Sequence, residues 1–261
     1  MHFNLGNGVA AELTISNSTL TISSGSVEAG VITTDIFIVP EGRAGSSKAI
    51  IGMDINFDGS NDLLVKVSDS ASNPCYKPFI AVVPPYVRDH IESAPFTESA
   101  ITLCNPDADT DKKEIISVER YGPFSRTEIY SMSEDNGIEL STIIEDINYN
   151  FSRISVNVSS EEGLENFISI RGARSQAFGC LIKKSDLYDS PGYDAVHGAH
   201  LVPGDRVKIE DVKRIRGDEW IEVSYQGAGR EIIKAWIEQQ SVEPLEAHDS
   251  PCGPTVDGAD N

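Results

Sequence analysis

Long apolar runs are missing from this chain. No stretch of its 261 residues approaches the ~18 unbroken apolar positions that a membrane-spanning helix needs, although 39% of the residues are apolar. Basic residues are scarce: 21 Lys+Arg face 41 Asp+Glu, for a formal charge of −20. An excess of that size works against a nucleic-acid backbone or an anionic membrane surface as partner. Catalytic signatures are absent as well. There is no Gly-x-Ser-x-Gly elbow, P-loop, His-Glu-x-x-His or dinucleotide fingerprint, and only five histidines: His2, His90, His197, His200 and His248. The pair His197 and His200 falls in a Gly-containing stretch that reads as an exposed turn with no third ligand. The expectation is a binding protein, not an enzyme.

Cysteine is rare, and its spacing is informative. Cys75, Cys104, Cys180 and Cys252 are too far apart for a CxxC metal knuckle or redox motif. An even count at long spacing suits two disulfides in an oxidising compartment. Of the three possible connectivities, Cys75–Cys104 with Cys180–Cys252 is favoured. The second bridge would staple an acidic tail, residues 244–261, that is too poor in apolar side chains to order itself. The first residues, Met1-His2-Phe3-Asn4-Leu5-Gly6, carry neither a basic nor an apolar signal region. The expected location is the periplasm or outside the cell, as a mature form with its export signal removed.

What is present reads as strand. Leu13-Thr14-Ile15-Ser16, Leu20-Thr21-Ile22-Ser23, Leu63 to Val67, Glu114 to Val118, Ile154 to Val158 and Val207 to Glu210 alternate with period two between Gly, Pro, Asn and Asp. That pattern predicts an all-β protein of sandwich, barrel or propeller type. Pro84 to Ser93 is the best candidate for a helical turn. The charge is uneven: residues 181–242 hold 11 acidic and 9 basic side chains, and residues 1–180 hold 25 and 12. The expected organisation is a β domain over residues 1–178, a small barrel over 179–243 and the tail.

The most specific chemistry lies in Asp54-Ile55-Asn56-Phe57-Asp58-Gly59-Ser60-Asn61-Asp62. Oxygen-bearing side chains at loop positions 1, 3, 5 and 9, with Gly at 6, match the start of a Ca²⁺-binding loop. Alternate side chains of a curled loop converge on one centre, Gly59 supplies the sharp turn, and the Ser60 carbonyl can add a backbone oxygen. Asp54, Asn56, Asp58, Ser60 and Asp62 are thus the candidate ligands of a structural Ca²⁺. Val65 occupies position 12 where an EF-hand carries Glu, so the loop reads as β-framed; the competing reading is a plain Asx-rich turn. A second acidic run, Asn105 to Lys113, lacks the glycine and reads as an exposed turn feeding a strand.

Two resemblances follow. Leu187-Tyr188-Asp189-Ser190-Pro191-Gly192, Leu201 to Ile209 with its Pro203-Gly204-Asp205 turn, Trp220 to Tyr225 and Trp236-Ile237 together resemble a bacterial SH3-like domain. The resemblance implies a barrel that binds cell-wall peptides or a protein. Gly52 to Leu64, with Leu103-Cys104-Asn105-Pro106, Asp109, Lys112-Lys113, Ile115 to Ser117, Arg120-Tyr121-Gly122 and Glu128 to Tyr130, is similar to the calcium-loop family of periplasmic immunity proteins. Members of that family inhibit lysozyme-type effectors delivered by type VI and related antagonistic secretion systems. The likeness covers residues ~45–145 and implies a propeller-like β fold and inhibition of a peptidoglycan hydrolase. A cell-wall or adhesion module using the barrel is the alternative.

Overall fold

A computed structural model describes residues 2–4, 10–16, 19–24, 27–33, 50–59, 61–70, 72–81, 96–133, 137–158, 163–193, 196–226, 231–245 and 252. Pro84 to Ser93, Ser60, His90 and His248 lie outside the described residues, as does the tail apart from Pro244, Leu245 and Cys252. The described elements are strands joined by turns, with one 3₁₀ turn at Gln239–Ser241, so the fold is all-β. Among the described residues no helix is long and apolar enough to cross a membrane.

The chain divides into two compact units, Met1–Thr142 and Ile143–Asn261. In the first, β1 (His2–Asn4), β2 (Ala10–Ser16), β3 (Thr19–Ser24) and β4 (Val27–Thr33) form an antiparallel meander. A second sheet holds β5 (Ile50–Met53), β6 (Asp62–Asp69), β7 (Pro74–Ala81), β8 (Phe96–Glu98) and β9 (Leu103–Cys104). Both β8 and β9 pair with β7, and Cys75 faces Cys104 in the register. That pairing places the two sulfurs for a disulfide, Cys75–Cys104. Next come β10 (Asp107–Asp109), β11 (Glu114–Tyr121), β12 (Phe124–Met132) and β13 (Ile138–Asp146), within which the units divide. Buried Ile55, Leu64, Tyr76, Leu103, Ile115 and Tyr130 form one apolar cluster in this unit.

The second unit opens with the hairpin β14 (Phe151–Val156) and β15 (Glu165–Ile170). Seven strands follow: β16 (Phe178–Leu181), β17 (Ser185–Tyr188), β18 (Val196–Leu201), β19 (Arg206–Ile215), β20 (Asp218–Gln226), β21 (Ile232–Glu238) and β22 (Val242–Leu245), in the order β18-β17-β21-β20-β19-β16-β22. Leu201, Leu187, Ile237, Ile221, Ile209, Leu181 and Val242, one from each strand, share a single buried cluster. A sheet can bring all its strands to one core only by curling. Burying so much branched aliphatic surface, at about 25 cal/mol per Å², is the main drive for this unit. Cys180–Cys252 ties the tail to β16.

The boundary differs from the one expected near residue 178. Phe151, Ile168 and Ala177 are buried in the same cluster as the seven strands. Gln176 donates from Nε2 to the carbonyl of Ile209 at 2.6 Å, and Arg153 bonds Asp211 at 2.9 Å. The β14–β15 hairpin therefore belongs with the second unit. A second correction concerns His197 and His200, which lie within strand β18 and not in a turn; the His200 side chain is exposed there.

Candidate functional site

The acidic loop connects β5 to β6 and folds back on itself through side-chain to backbone hydrogen bonds. Asp54 is its hub: one carboxylate oxygen accepts the N–H of Asp58 at 3.1 Å and the other that of Gly59 at 2.9 Å. Asn56 Oδ1 also accepts from Asp58 N–H, and its Nδ2 donates to the Asp58 carboxylate at 2.9 Å. Gly59 has φ +87°, which a side chain would strain. Phe57, just before, also holds a left-handed φ of +55°, an uncommon conformation for a bulky residue. Asp62, at the start of β6, behaves differently: it is fully buried, and its carboxylate accepts the N–H of Ile55 at 2.8 Å.

Asp54, Asn56 and Asp58 are thereby brought together on the open side of the loop, while Asp62 closes the loop from inside. Hard oxygens of this kind are the donor set Ca²⁺ prefers, and a carboxylate that accepts one hydrogen bond per oxygen keeps further lone pairs. Among the described residues, however, no group of three or more His, Cys, Asp or Glu side chains converges as metal ligands. As built, the loop is held by its own Asx-type hydrogen bonds. A cavity of about 380 Å³ lies elsewhere, in the second unit, and one of about 320 Å³ adjoins this loop, lined by Asn56, Phe57, Asp58, Lys113 and Met132.

In the second acidic run, Asp107–Asp109 form strand β10 and only residues 110–113 make an exposed turn. Asp109 accepts from Lys112 N–H at 3.1 Å and from its ammonium at 2.7 Å, and these bonds hold the Asp109 carboxyl below the usual aspartate range. The residue in this run that sequence reasoning missed is Asn105. Its Nδ2 reaches the carbonyls of Val118 at 2.9 Å and Ser72 at 3.1 Å. Asn73 does more: its Oδ1 accepts Arg120 N–H at 2.8 Å and its Nδ2 donates to Arg120 O at 2.9 Å. Ser117 Oγ accepts Cys104 N–H at 2.9 Å. Strand β11 pairs with β10 only through Glu114, Ile115 and Ile116, so beyond Ile116 its outer edge would be open. Side chains flanking the Cys75–Cys104 bridge occupy that edge instead, which is one way of blunting an edge strand. The sequence signal for them was slight: an Asn-Pro pair before Cys75 and another after Cys104.

In the second unit, the 380 Å³ cavity is lined by Tyr193, Asp218, Glu219 and Glu238, among others. Tyr188, Tyr193 and Trp220 stack edge to face, with centroids 4.7 to 5.8 Å apart. Trp220 is fully buried, and its indole N–H has no hydrogen-bond partner. Tyr193 Oη donates to Glu238 at 2.6 Å, which pushes the phenol up to about 12 and holds the Glu238 carboxyl low. Aromatic faces beside carboxylates suit a cationic group.

No family, curated protein or solved structure matches the chain.

Proposed function

We propose that this chain is a periplasmic immunity protein that binds and inhibits a peptidoglycan-degrading, lysozyme-type effector, with the acidic loop as a structural Ca²⁺ site. One observation carries the reading. The two stretches on which the family resemblance rests, Gly52–Leu64 and Leu103–Tyr130, contribute Ile55, Leu64, Leu103, Ile115 and Tyr130 to a single buried cluster. Cys75–Cys104 pins that cluster together, so the motifs form one rigid unit in the way a binding scaffold requires. The two disulfides also suit an oxidising compartment. The first unit, residues 1–142, holds 20 acidic and 9 basic side chains, a field that speeds encounter with a cationic enzyme.

The test is to mix the purified protein with the peptidoglycan hydrolase encoded beside its gene and follow lysis of purified sacculi. Inhibition at equimolar protein is expected; undiminished lysis at molar excess would refute the reading. For the ion, a chelator should lower the melting temperature by several degrees through loss of ligand linkage. An unchanged melt and no calcium in dialysed protein would remove that part alone. A second reading, a cell-wall or adhesion module, is favoured by the acid-lined cavity beside Tyr193 and Trp220, and co-sedimentation with sacculi in the absence of any hydrolase would support it.

A further inference from the structure

We infer that residues 253–261, the segment beyond the Cys180–Cys252 bridge, dock across the outer face of the second unit's seven-stranded sheet. The groove that takes them is walled by Phe178 and Ile232 and edged by Arg206, Lys208 and Lys234. This inference is independent of the inhibitor reading.

Two neighbouring rows of side chains run across that face. Phe178 pairs with Lys208, Lys208 with Ser224 and Ser224 with Lys234. One step along, Cys180 pairs with Arg206, and Gln226 with Ile232. The side of the sheet they occupy follows from their neighbours. A Cβ on Gly179 would point at Val242 and Ile209, and Val207, Ile209 and Val223 all belong to the buried cluster. Successive residues of a strand alternate faces, so Phe178, Cys180, Lys208 and Ser224 are on the side away from that core. A cavity of about 300 Å³ opens there, lined by Phe178, Arg206, Lys208, Ser224, Tyr225 and Ile232 among others. Ile232 is 64% exposed.

The groove is opposite in sign to the chain as a whole. Its described lining residues include Arg206 and Lys208 and no carboxylate, and exposed Lys234 continues the row. The nearest acids are engaged. Glu210 pairs with Lys208 at 3.0 Å and accepts from Ser224 at 2.8 Å. Asp205 accepts the N–H of Val202 at 2.8 Å and the hydroxyl of Tyr225 at 3.4 Å. Burial alone would raise the Glu210 carboxyl, yet Lys208, Ser224 and Lys234 hold it below its usual range. A cationic groove with apolar walls fits an anionic segment that brings a little apolar surface of its own.

The bridge selects which segment that is. Cys180 points to this face, and the Cys252 Cα lies 5.6 Å from its own. The chain therefore leaves Cys252 close to Arg206, the residue across from Cys180. Residues 253–261 read Gly-Pro-Thr-Val-Asp-Gly-Ala-Asp-Asn, with two aspartates, no cation and one valine. The three strand spacings from β16 to β21 measure about 14 Å. Asp257, five residues past the bridge, has a reach of about 17 Å, so all three cations are within its range. Exposed ion pairs are individually weak. A short tether compensates, because it presents the segment at an effective concentration in the millimolar range.

The experiment compares the full chain with a chain ending at Cys252, which keeps both bridges, by mass-spectrometric footprinting of lysine acetylation at low salt. Lys208 and Lys234 should be labelled about 5-fold faster in the shortened chain, the protection that an effective concentration of about 4 mM gives against a Kd of about 1 mM. Exposed Lys184 should be labelled equally in both. A full-length variant carrying Asp257→Asn and Asp260→Asn should behave like the shortened chain, and the wild type should approach it in about 0.5 M salt, where exposed pairs are screened. The nine-residue peptide, added at millimolar concentration to the shortened chain, should slow labelling of both lysines again. Equal labelling of Lys208 and Lys234 in the full and shortened chains would overturn the inference. If both chains then sedimented as concentration-dependent dimers, the groove would belong to a second copy of the chain and not to residues 253–261.

Discussion

The two units hold an all-β chain together by different means. In the second, every strand of the seven-stranded sheet sends an aliphatic side chain into one buried cluster, and the β14–β15 hairpin adds Phe151 and Ile168. In the first, the cluster around Ile55 and Leu103 is supplemented by point fastenings: a disulfide between strands β7 and β9, carboxamides along the edge of β11, and a buried aspartate closing the acidic loop. A unit stabilised mainly by burial loses stability through volume changes. A unit stabilised by fastenings loses it when a single fastening is cut, and the two can be told apart by mutation.

The largest effect is expected from cutting the first bridge. Replacing Cys75 and Cys104 by Ser together reopens a segment of 29 residues, and loop-closure entropy for that length is about 3–4 kcal/mol. Calorimetry should show the loss in the first unit, together with faster hydrogen exchange at Arg120; a bridge that served only as decoration would move neither. The matching experiment in the second unit is Gly179→Ala. A Cβ there would collide with Val242 Cγ1 and meet the Glu243 carbonyl at 3.2 Å. Overpacking of this kind costs about 1–3 kcal/mol. The loss should appear in the second unit and leave the exchange of Arg120 unchanged. If each variant lowered both units equally, the contrast drawn between them would fail.

Sequence reading was sound where period two and turn chemistry act locally. Leu63 to Val67, Glu114 to Val118 and Val207 to Glu210 lie in strands β6, β11 and β19, and the cysteines pair in tandem as favoured. It was also sound for the Gly59 turn, whose positive φ follows from the loop spacing. It said less where long-range packing decides. Nothing local in Phe151 or Ile168 says which core they join, and they share the buried cluster of the seven strands. Nor does Asp62 betray in sequence that it turns inward to Ile55 N–H while Asp54 and Asp58 stay on the open side. The carboxamide supports of β11 were invisible for a similar reason. Asn73 and Arg120 are 47 residues apart, and Asn before Pro reads locally as a turn.

The smallest effect tests whether the aromatic cluster of the second unit is electrostatically linked to its acidic rim. Tyr193 gives its hydroxyl proton to Glu238 in a 2.6 Å hydrogen bond. Such a bond favours the protonated phenol and the ionised carboxylate together, so the two groups shift in opposite directions: Tyr193 up to about 12 and Glu238 below its usual value. The tyrosine's contribution to stability is fully present below its ordinary value near 10 and is lost as pH rises towards 12. The glutamate's is present above its ordinary value and is lost as pH falls through its lowered one. Absorbance titration of tyrosinate should therefore show Tyr193 among several late-ionising phenols, Tyr130, Tyr188 and Tyr225 being raised as well, and its share is the late amplitude lost in Tyr193→Phe. In Glu238→Gln the same phenol should ionise closer to pH 10, because the carboxylate charge that also opposes its ionisation is gone. A late amplitude left undiminished by Tyr193→Phe would show that Glu238 does not hold this phenol and would break the link between the aromatic cluster and its acidic rim.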